Sequence, residues 1–389
     1  MAARLCCLTV VDRQADISCT RTVDMTSRTP RTTGLMLAGL MMVASSAAMA
    51  TPAKHGHAQQ ATHAQQANGQ TVQSAVIPAQ ITYDDPAFRE LVSPKAHLTR
   101  LYDKATWSEG PIVMPDGSVI WSDVKQNEVL RWQPTGKHAG KVSTWLKPSD
   151  FQNGHAVDEQ GRIVAASHGK RGIVRQEGNE WKVLIDKYEG KQLNSPNDLI
   201  IDSTGAIWFT DPTFGVKNPL ESYGGNVEQD GEYVYRFLPA TGVIERLETP
   251  LVKAPNGLAL SPDERTLYVA DSQLAHDFND HALAHQIIAY DISPADRKLS
   301  NGRVFAVINP GIPDGMKVDV NGNVWTSSGD SVQVYSPEGK RLGRVTFPST
   351  VGNMVFGVNK ANKPVLYVTA ANGLYRLDVN VKGAVPVKR

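Results

Sequence analysis

The run Leu199-Ile-Ile201, then Ala206-Ile-Trp-Phe-Thr-Asp211, then Tyr233-Val-Tyr-Arg-Phe237 decides the fold. Each piece is short, apolar and rich in β-branched or aromatic residues, and Gly205 marks a turn between the first two. Three such strands in succession make an antiparallel meander. The middle strand reappears as Ser118-Val-Ile-Trp-Ser-Asp123, Arg162-Ile-Val-Ala-Ala-Ser167, Thr266-Leu-Tyr-Val-Ala-Asp271, Asn323-Val-Trp-Thr-Ser-Ser328 and Pro364-Val-Leu-Tyr-Val-Thr369. A further strand follows each copy, as in Glu128-Val-Leu-Arg-Trp132 and Gly373-Leu-Tyr-Arg-Leu377. Six β units spaced by roughly 40–60 residues are the pattern of propeller blades. The chain is therefore expected to be all-β, a six-bladed β-propeller over residues 81–389.

Eight or nine residues before each turn stands an oxygen-bearing side chain. The series is Glu109-Gly, Asn153-Gly, Asn197-Asp, Asn256-Gly, Asp314-Gly and Asn353-Met, with spacings of 44, 44, 59, 58 and 39 residues. Asn-Gly and Asp-Gly alone are ordinary turn dipeptides. Turn chemistry does not explain Glu109, Asn197-Asp or Asn353-Met in the same register. The first strand of a propeller blade lines the central channel, so six side chains are expected to converge at one end of one tunnel. Carboxylates and carboxamides are hard donors, which suit Ca²⁺ or Mg²⁺ better than thiophilic ions. Ca²⁺ fits ligands gathered from separate blades best, with Mg²⁺, Mn²⁺ and Zn²⁺ left open.

The 389 residues carry 40 basic and 39 acidic side chains and 3 cysteines, with 41% hydrophobic residues. This balance gives no electrostatic case for a nucleic-acid partner, and the apolar content excludes disorder of the whole chain. All three cysteines, Cys6, Cys7 and Cys19, precede an apolar run from Gly34 to Ala50. Arg28 and Arg31 before that run and Ala48-Met49-Ala50 at its end make a secretory signal peptide, expected over residues 25–50 and cut after Ala50. Residues 1–24 read as an over-long start before Met25. Without residues 1–50, which hold five Arg and three Asp, the balance is 35 to 36 and no cysteine remains. A thiol nucleophile is then excluded, the product is expected in the periplasm or outside the cell, and no stable membrane insertion is expected after cleavage. Residues 51–80, rich in Ala, Gln and His, read as a flexible spacer.

Ser108-Glu-Gly-Pro111, Gly161-Arg with His168-Gly, Asn194-Ser-Pro-Asn-Asp198 through Phe209-Thr-Asp-Pro212, Pro255-Asn-Gly257 with Ser261-Pro-Asp-Glu264, and Pro313-Asp-Gly-Met316 form an ordered series. The series resembles the gluconolactonase family, which includes senescence marker protein and luciferin-regenerating enzyme. The resemblance covers about residues 97–379. It implies a propeller with one divalent metal at the axis, often Ca²⁺, held by Glu109, Asn197, Asn256 and Asp314. It also implies hydrolysis of a sugar lactone. On that footing Asp314 is the expected general base and Asn153 the expected contact to substrate hydroxyls. His155 and His168 are candidates for the substrate site or for structural histidines. Ser167 departs from the Glu or Cys that relatives often carry beside this His-Gly, so no role transfers to it.

Asp123, Asp211 and Asp271 end their strands and read as turn or cap residues. Of the two long insertions, Pro212–Gly231 carries Phe214, Tyr223 and Gly224-Gly225 and reads as either a lid or a plain surface loop. Ser272–His285 holds His281 and His285, which could bind zinc only if helical. The run His97-Leu-Thr-Arg-Leu-Tyr102 is expected to pair with the last blade near Gly373–Val379 and close the ring. Two rivals stand beside the lactonase reading: a phosphotriesterase or aryl esterase like diisopropylfluorophosphatase, and a non-catalytic binding propeller.

Overall fold

The computed structural model describes residues 70–71 and 74–384. The expected leader and most of the expected spacer lie outside them. Among the described residues six antiparallel sheets of four or five strands follow one another along the chain, besides one two-stranded hairpin. Their inner strands are Ser108–Val113, Gln152–Val157, Leu199–Ile201, Pro255–Leu260, Met316–Val318 and Val351–Val358. Each pairs with a largely buried strand such as Val119–Asp123 or Ile207–Asp211, and that strand pairs with a third. The sequence repeat is thus the blade repeat, and the six-bladed propeller is the observed fold.

The turn inside each blade has a local cause. Asp202 accepts the Thr204 and Ala206 N–H groups at 2.8 and 3.1 Å and the Trp208 indole N–H at 2.9 Å. Asp319 does the same for Asn321, Asn323 and Trp325, each at 2.9 Å. Asp158 and Asn359 hold two turn amides each, and Ser261 stands in blade 4. A short side-chain acceptor that binds the backbone two residues on is what makes these positions turn.

Packing runs between blades rather than within them. Trp121 packs with Val365, Tyr367 and Leu374 across blades 1 and 6, and Trp325 with Met354, Leu366 and Tyr375 across blades 5 and 6. Clusters also join blades 1 and 2, 2 and 3, 3 and 4, and 4 and 5. Every sheet face that points round the ring therefore buries its apolar residues on a neighbour.

His97–Tyr102 forms the fourth strand of blade 6, paired with Gly373–Asp378 in the register Tyr102↔Leu374 and Leu98↔Leu377. Ring closure by the two ends of the domain is as expected. The flexible reading of residues 51–80 needs correction at its C-terminal end. Ala75–Pro78 adds a fifth strand to blade 6, and Gln80–Tyr83 adds one to blade 5 beside Arg341–Thr346. Asp84 clamps that edge through Arg341 at 2.6 Å. Open blade edges offer unpaired backbone groups, and these short strands satisfy them.

Candidate active site

The inner strands meet so closely at the axis that their glycines leave no room for a side chain. A Cβ on Gly110 would lie 2.0 Å from the Asn153 carbonyl oxygen, and one on Gly257 2.1 Å from that of Asp314. One on Gly315 would meet the Asn353 carboxamide at 2.1 Å, and one on Gly352 the Glu109 carboxylate at 2.3 Å. The Gly beside Glu109, Asn256, Asp314 and Asn353 serves close approach between strands. Gly154 and Gly257 also donate their N–H groups to the Asn197 and Asp314 carbonyls of the next blade, both at 2.9 Å.

Strand-end aspartates deliver the site residues. Asp123 accepts the Thr106 and Trp107 amides at 2.8 and 2.9 Å, Asp211 those of Asn194 and Ser195 at 2.8 Å, and Asp271 those of Lys253 and Ala254 at 3.0 Å. Each pair of amides lies three and two residues before Glu109, Asn197 or Asn256. The capping role expected of these aspartates is the one they have. In blade 2 Ser167 takes the place, donating to the Asp150 carbonyl at 2.6 Å. Asp271→Ala leaves two amides without their acceptor at a buried position, an expected loss of about 2 kcal/mol. Urea unfolding of the variant checks this.

A cavity of about 650 Å³ opens at this end of the channel. Glu109, Asn153, Asn197, Asn256 and Asp314, from five consecutive blades, all line it. Asn353 does not. Its carboxamide is turned aside, accepting from the Met354 N–H at 2.8 Å and donating to Asp198 Oδ2 at 3.2 Å. The expected convergence of six oxygens is corrected to five.

The electrostatics of this group are unusual. Burial, then the charges of Asp314 and Asp198, push the Glu109 carboxyl well above the ordinary range. Burial, then Asp198 and Glu221, push Asp314 up to about 8. Asn256 hydrogen-bonds the Asp314 carboxylate, while its own Oδ1 is buried with no hydrogen-bond partner. Crowded carboxylates and an orphaned carboxamide oxygen fit a hard divalent cation, which would supply the missing positive charge and the missing partner. Among the described residues no cluster of three His, Cys, Asp or Glu could hold a metal. The donor set that fits is therefore mixed, two carboxylates with carboxamides.

Asp198 and Glu221 were not singled out by the sequence. Asp198 hides in an Asn-Asp where four other blades have Gly, and Glu221 sits inside a long insertion. Glu221 lines the cavity with its carboxylate 3.7 Å from Lys125, whose ammonium lies 5.1 Å from the Trp107 ring centroid.

Neither histidine lines the cavity. His155 shares a strand face with Asn153, but two residues of strand carry it about 6.6 Å further along the channel. There it lines a separate cavity with Leu199, Ala259 and Val355, and its Nδ1 lies 2.7 Å from the Gly110 carbonyl oxygen. Of the two readings open for His155, this placement away from the site cavity favours the structural one. His168 is buried behind Asn153, with Nε2 3.4 Å from the Asn153 amide nitrogen and Nδ1 3.2 Å from the Glu221 carbonyl oxygen.

Burial lowers both imidazoles from 6.5 to about 4. The folded chain then binds fewer protons than the unfolded chain between these values. Their contribution to stability is full above pH 6.5 and is lost as pH falls towards 4. Urea unfolding from pH 4 to 7.5 checks this, and His155→Gln is expected to flatten the slope.

A family model for the SMP-30/gluconolactonase/LRE-like region matches residues 107–372. The chain belongs to this family. A gluconolactonase of Zymomonas mobilis is 30% identical over 377 residues, spanning 90% of this chain and 100% of that protein. The solved structure of a Xanthomonas campestris gluconolactonase, described as important in glucose secondary metabolic pathways, is 36% identical with a TM-score of 0.69. That match covers 78% of this chain and 97% of the other. A pentonolactonase of Haloferax volcanii is 27% identical over 287 residues, 71% of this chain and 86% of its own.

In this member of the SMP-30/gluconolactonase/LRE-like family both long insertions reach the cavity. Thr213, Phe214, Lys217, Asn218 and Glu221 come from the first, and Ala275, His276 and Phe278 from the second. Phe214 and His276 touch ring to ring, with centroids 4.9 Å apart. Tyr223 instead anchors the first loop outside, donating to Asp150 Oδ1 at 3.1 Å. Residues 281–285 are not helical, and His285 Nδ1 is engaged with the Ile308 carbonyl. The i, i+4 zinc pair is not formed.

Proposed function

We propose that the chain is an exported, metal-dependent lactonase that opens a sugar lactone to its hydroxy acid. The observation that carries this reading is the set Glu109, Asn197, Asn256 and Asp314 around one cavity, with the Asn256 oxygen buried and orphaned. Family membership and the lactonase relatives point to the same chemistry. Those four residues would hold the cation, Ca²⁺ by the flexibility of ligands from four blades, with Mg²⁺, Mn²⁺ or Zn²⁺ as alternatives. A divalent ion bound there supplies a Lewis acid for the lactone carbonyl.

The chain's own groups do the rest. With a cation beside it to offset the burial and repulsion that push its carboxyl up, the ionised Asp314 is the general base: its carboxylate takes a proton from water as the oxygen adds to the carbonyl carbon. The ring C–O bond then breaks, the proton passes to the ring oxygen, and a hydroxy acid leaves. Asp314 is held for this by the hydrogen bond from Asn256 and by its own N–H, which donates to Ser327 Oγ at 2.7 Å. Asn153 contacts substrate hydroxyls. Export rests on the Gly34–Ala50 segment, with cleavage after Ala50 and a periplasmic or secreted product.

The test is a substrate panel with Ca²⁺ present. Acid release from glucono-δ-lactone, with little turnover of an aryl ester or a phosphotriester, is the expected result. Turnover of the phosphotriester alone would replace this reading with the phosphotriesterase one, and no turnover of any would favour the binding propeller.

A further inference from the structure

His168 is buried and does not line the site cavity, yet it joins two residues that both do. Its Nδ1 faces the Glu221 carbonyl oxygen at 3.2 Å, and a carbonyl can only accept. The Nδ1 therefore carries the hydrogen. A neutral imidazole has one N–H, so Nε2 is an acceptor. The Asn153 atom 3.4 Å from that nitrogen is the amide nitrogen, a donor. With one N–H committed there, Asn153 keeps its acceptor oxygen and a second N–H for the cavity it lines.

Glu221 lines the same cavity, and its carboxylate, 3.7 Å from the Lys125 ammonium, is again an acceptor. Its backbone is the one that His168 holds. Gly215 of the same insertion packs on the imidazole so closely that a Cβ there would lie 2.4 Å from His168 Cγ. The Ser195 hydroxyl, which accepts the Gly215 and Val216 amides at 3.1 Å, fixes that turn to the blade 3 approach segment. One buried ring thus ties together two cavity-lining residues from different blades, the Asn153 side chain and the Glu221 backbone.

We propose that His168 is a positioning residue, and that through it Asn153 and Glu221 form a wall of hydrogen-bond acceptors that selects lactones bearing free hydroxyl groups. A polyol ring offers donors to such a wall, and a bare alkyl lactone offers none. Groups built to receive a hydroxyl discriminate strongly against an analogue that lacks it, because they are then left unpaired. This rests on the lactonase reading for the reaction but not for the binding.

The test therefore measures binding of a polyol that cannot be hydrolysed. Titration calorimetry with 1,5-anhydroglucitol, in Ca²⁺ buffer, compares the full protein with His168→Phe and His168→Gln. The phenyl ring keeps the shape without an acceptor, whereas the Gln carboxamide oxygen can accept from Asn153. His168→Phe is expected to weaken binding about tenfold and His168→Gln to restore most of it. Adding Asn153→Ala to His168→Phe is expected to cost little more, since the two act as one unit. Equal loss in the Phe and Gln variants, with melting temperatures unchanged, would overturn the proposal, as would no polyol binding by the parent protein. Polyol binding without hydrolysis of any lactone would leave the wall standing and remove the lactonase reading.

Discussion

Asp314→Asn lowers kcat for lactone hydrolysis by about 10³-fold or more, while the protein stays folded. The base role alone accounts for a loss of about 10²–10⁴. Removing a carboxylate from the proposed cation site would add to it, since two carboxylates balance a divalent charge and one does not. The fold is expected to tolerate the change well. Asp314 is pushed up to about 8 by burial and by neighbouring Asp198 and Glu221, so a neutral side chain relieves repulsion there. Steady-state kinetics and a thermal melt on one preparation check both halves. A folded variant with more than a tenth of the parent kcat would remove Asp314 from the base role.

Gly257→Ala is expected to destabilise the fold by about 3 kcal/mol and to abolish most activity, although glycine makes no contact to substrate. A Cβ there would lie 2.1 Å from the Asp314 carbonyl oxygen and 2.8 Å from Gly315 Cα. Both are backbone atoms of the next inner strand, so no side chain can swing away. The strands must part, and overpacking of that kind costs about 1–3 kcal/mol or more. The same movement breaks the Gly257 N–H bond to Asp314 and displaces Asp314 itself. Denaturant unfolding and kcat together test this, and a variant with full stability would show the axis to be looser than described.

The blades were legible because the repeat is written in three signals at once: β-branched and aromatic runs, a Gly-type turn, and an oxygen-bearing residue at fixed register. The channel end of the site was legible for the same reason, as Glu109, Asn153, Asn197, Asn256 and Asp314 share a cavity. Depth along a strand was not. A spacing of two puts His155 on Asn153's face, and only the structure shows it one step too far down the channel. Asn353 matched the register, but Gly315 and Asp198 crowd its carboxamide away from the cavity.

Residues 75–83 were read as spacer up to residue 80 because their short strands lack a periodic apolar face. Val76 is 68% exposed, so edge pairing rather than burial makes the strand there. Glu221 left no trace in the sequence because its place depends on how a long insertion folds back over the blades.

The cation site is tested most directly by stripping the protein with EDTA and returning Ca²⁺ while following calorimetric binding and acid release from glucono-δ-lactone. The expected result is one Ca²⁺ bound per chain, with activity lost on stripping and restored in parallel with binding. Binding is expected to fall sharply in Glu109→Gln and in Asp314→Asn. Undiminished lactone hydrolysis by the stripped protein, or Ca²⁺ binding that survives both substitutions, would contradict it.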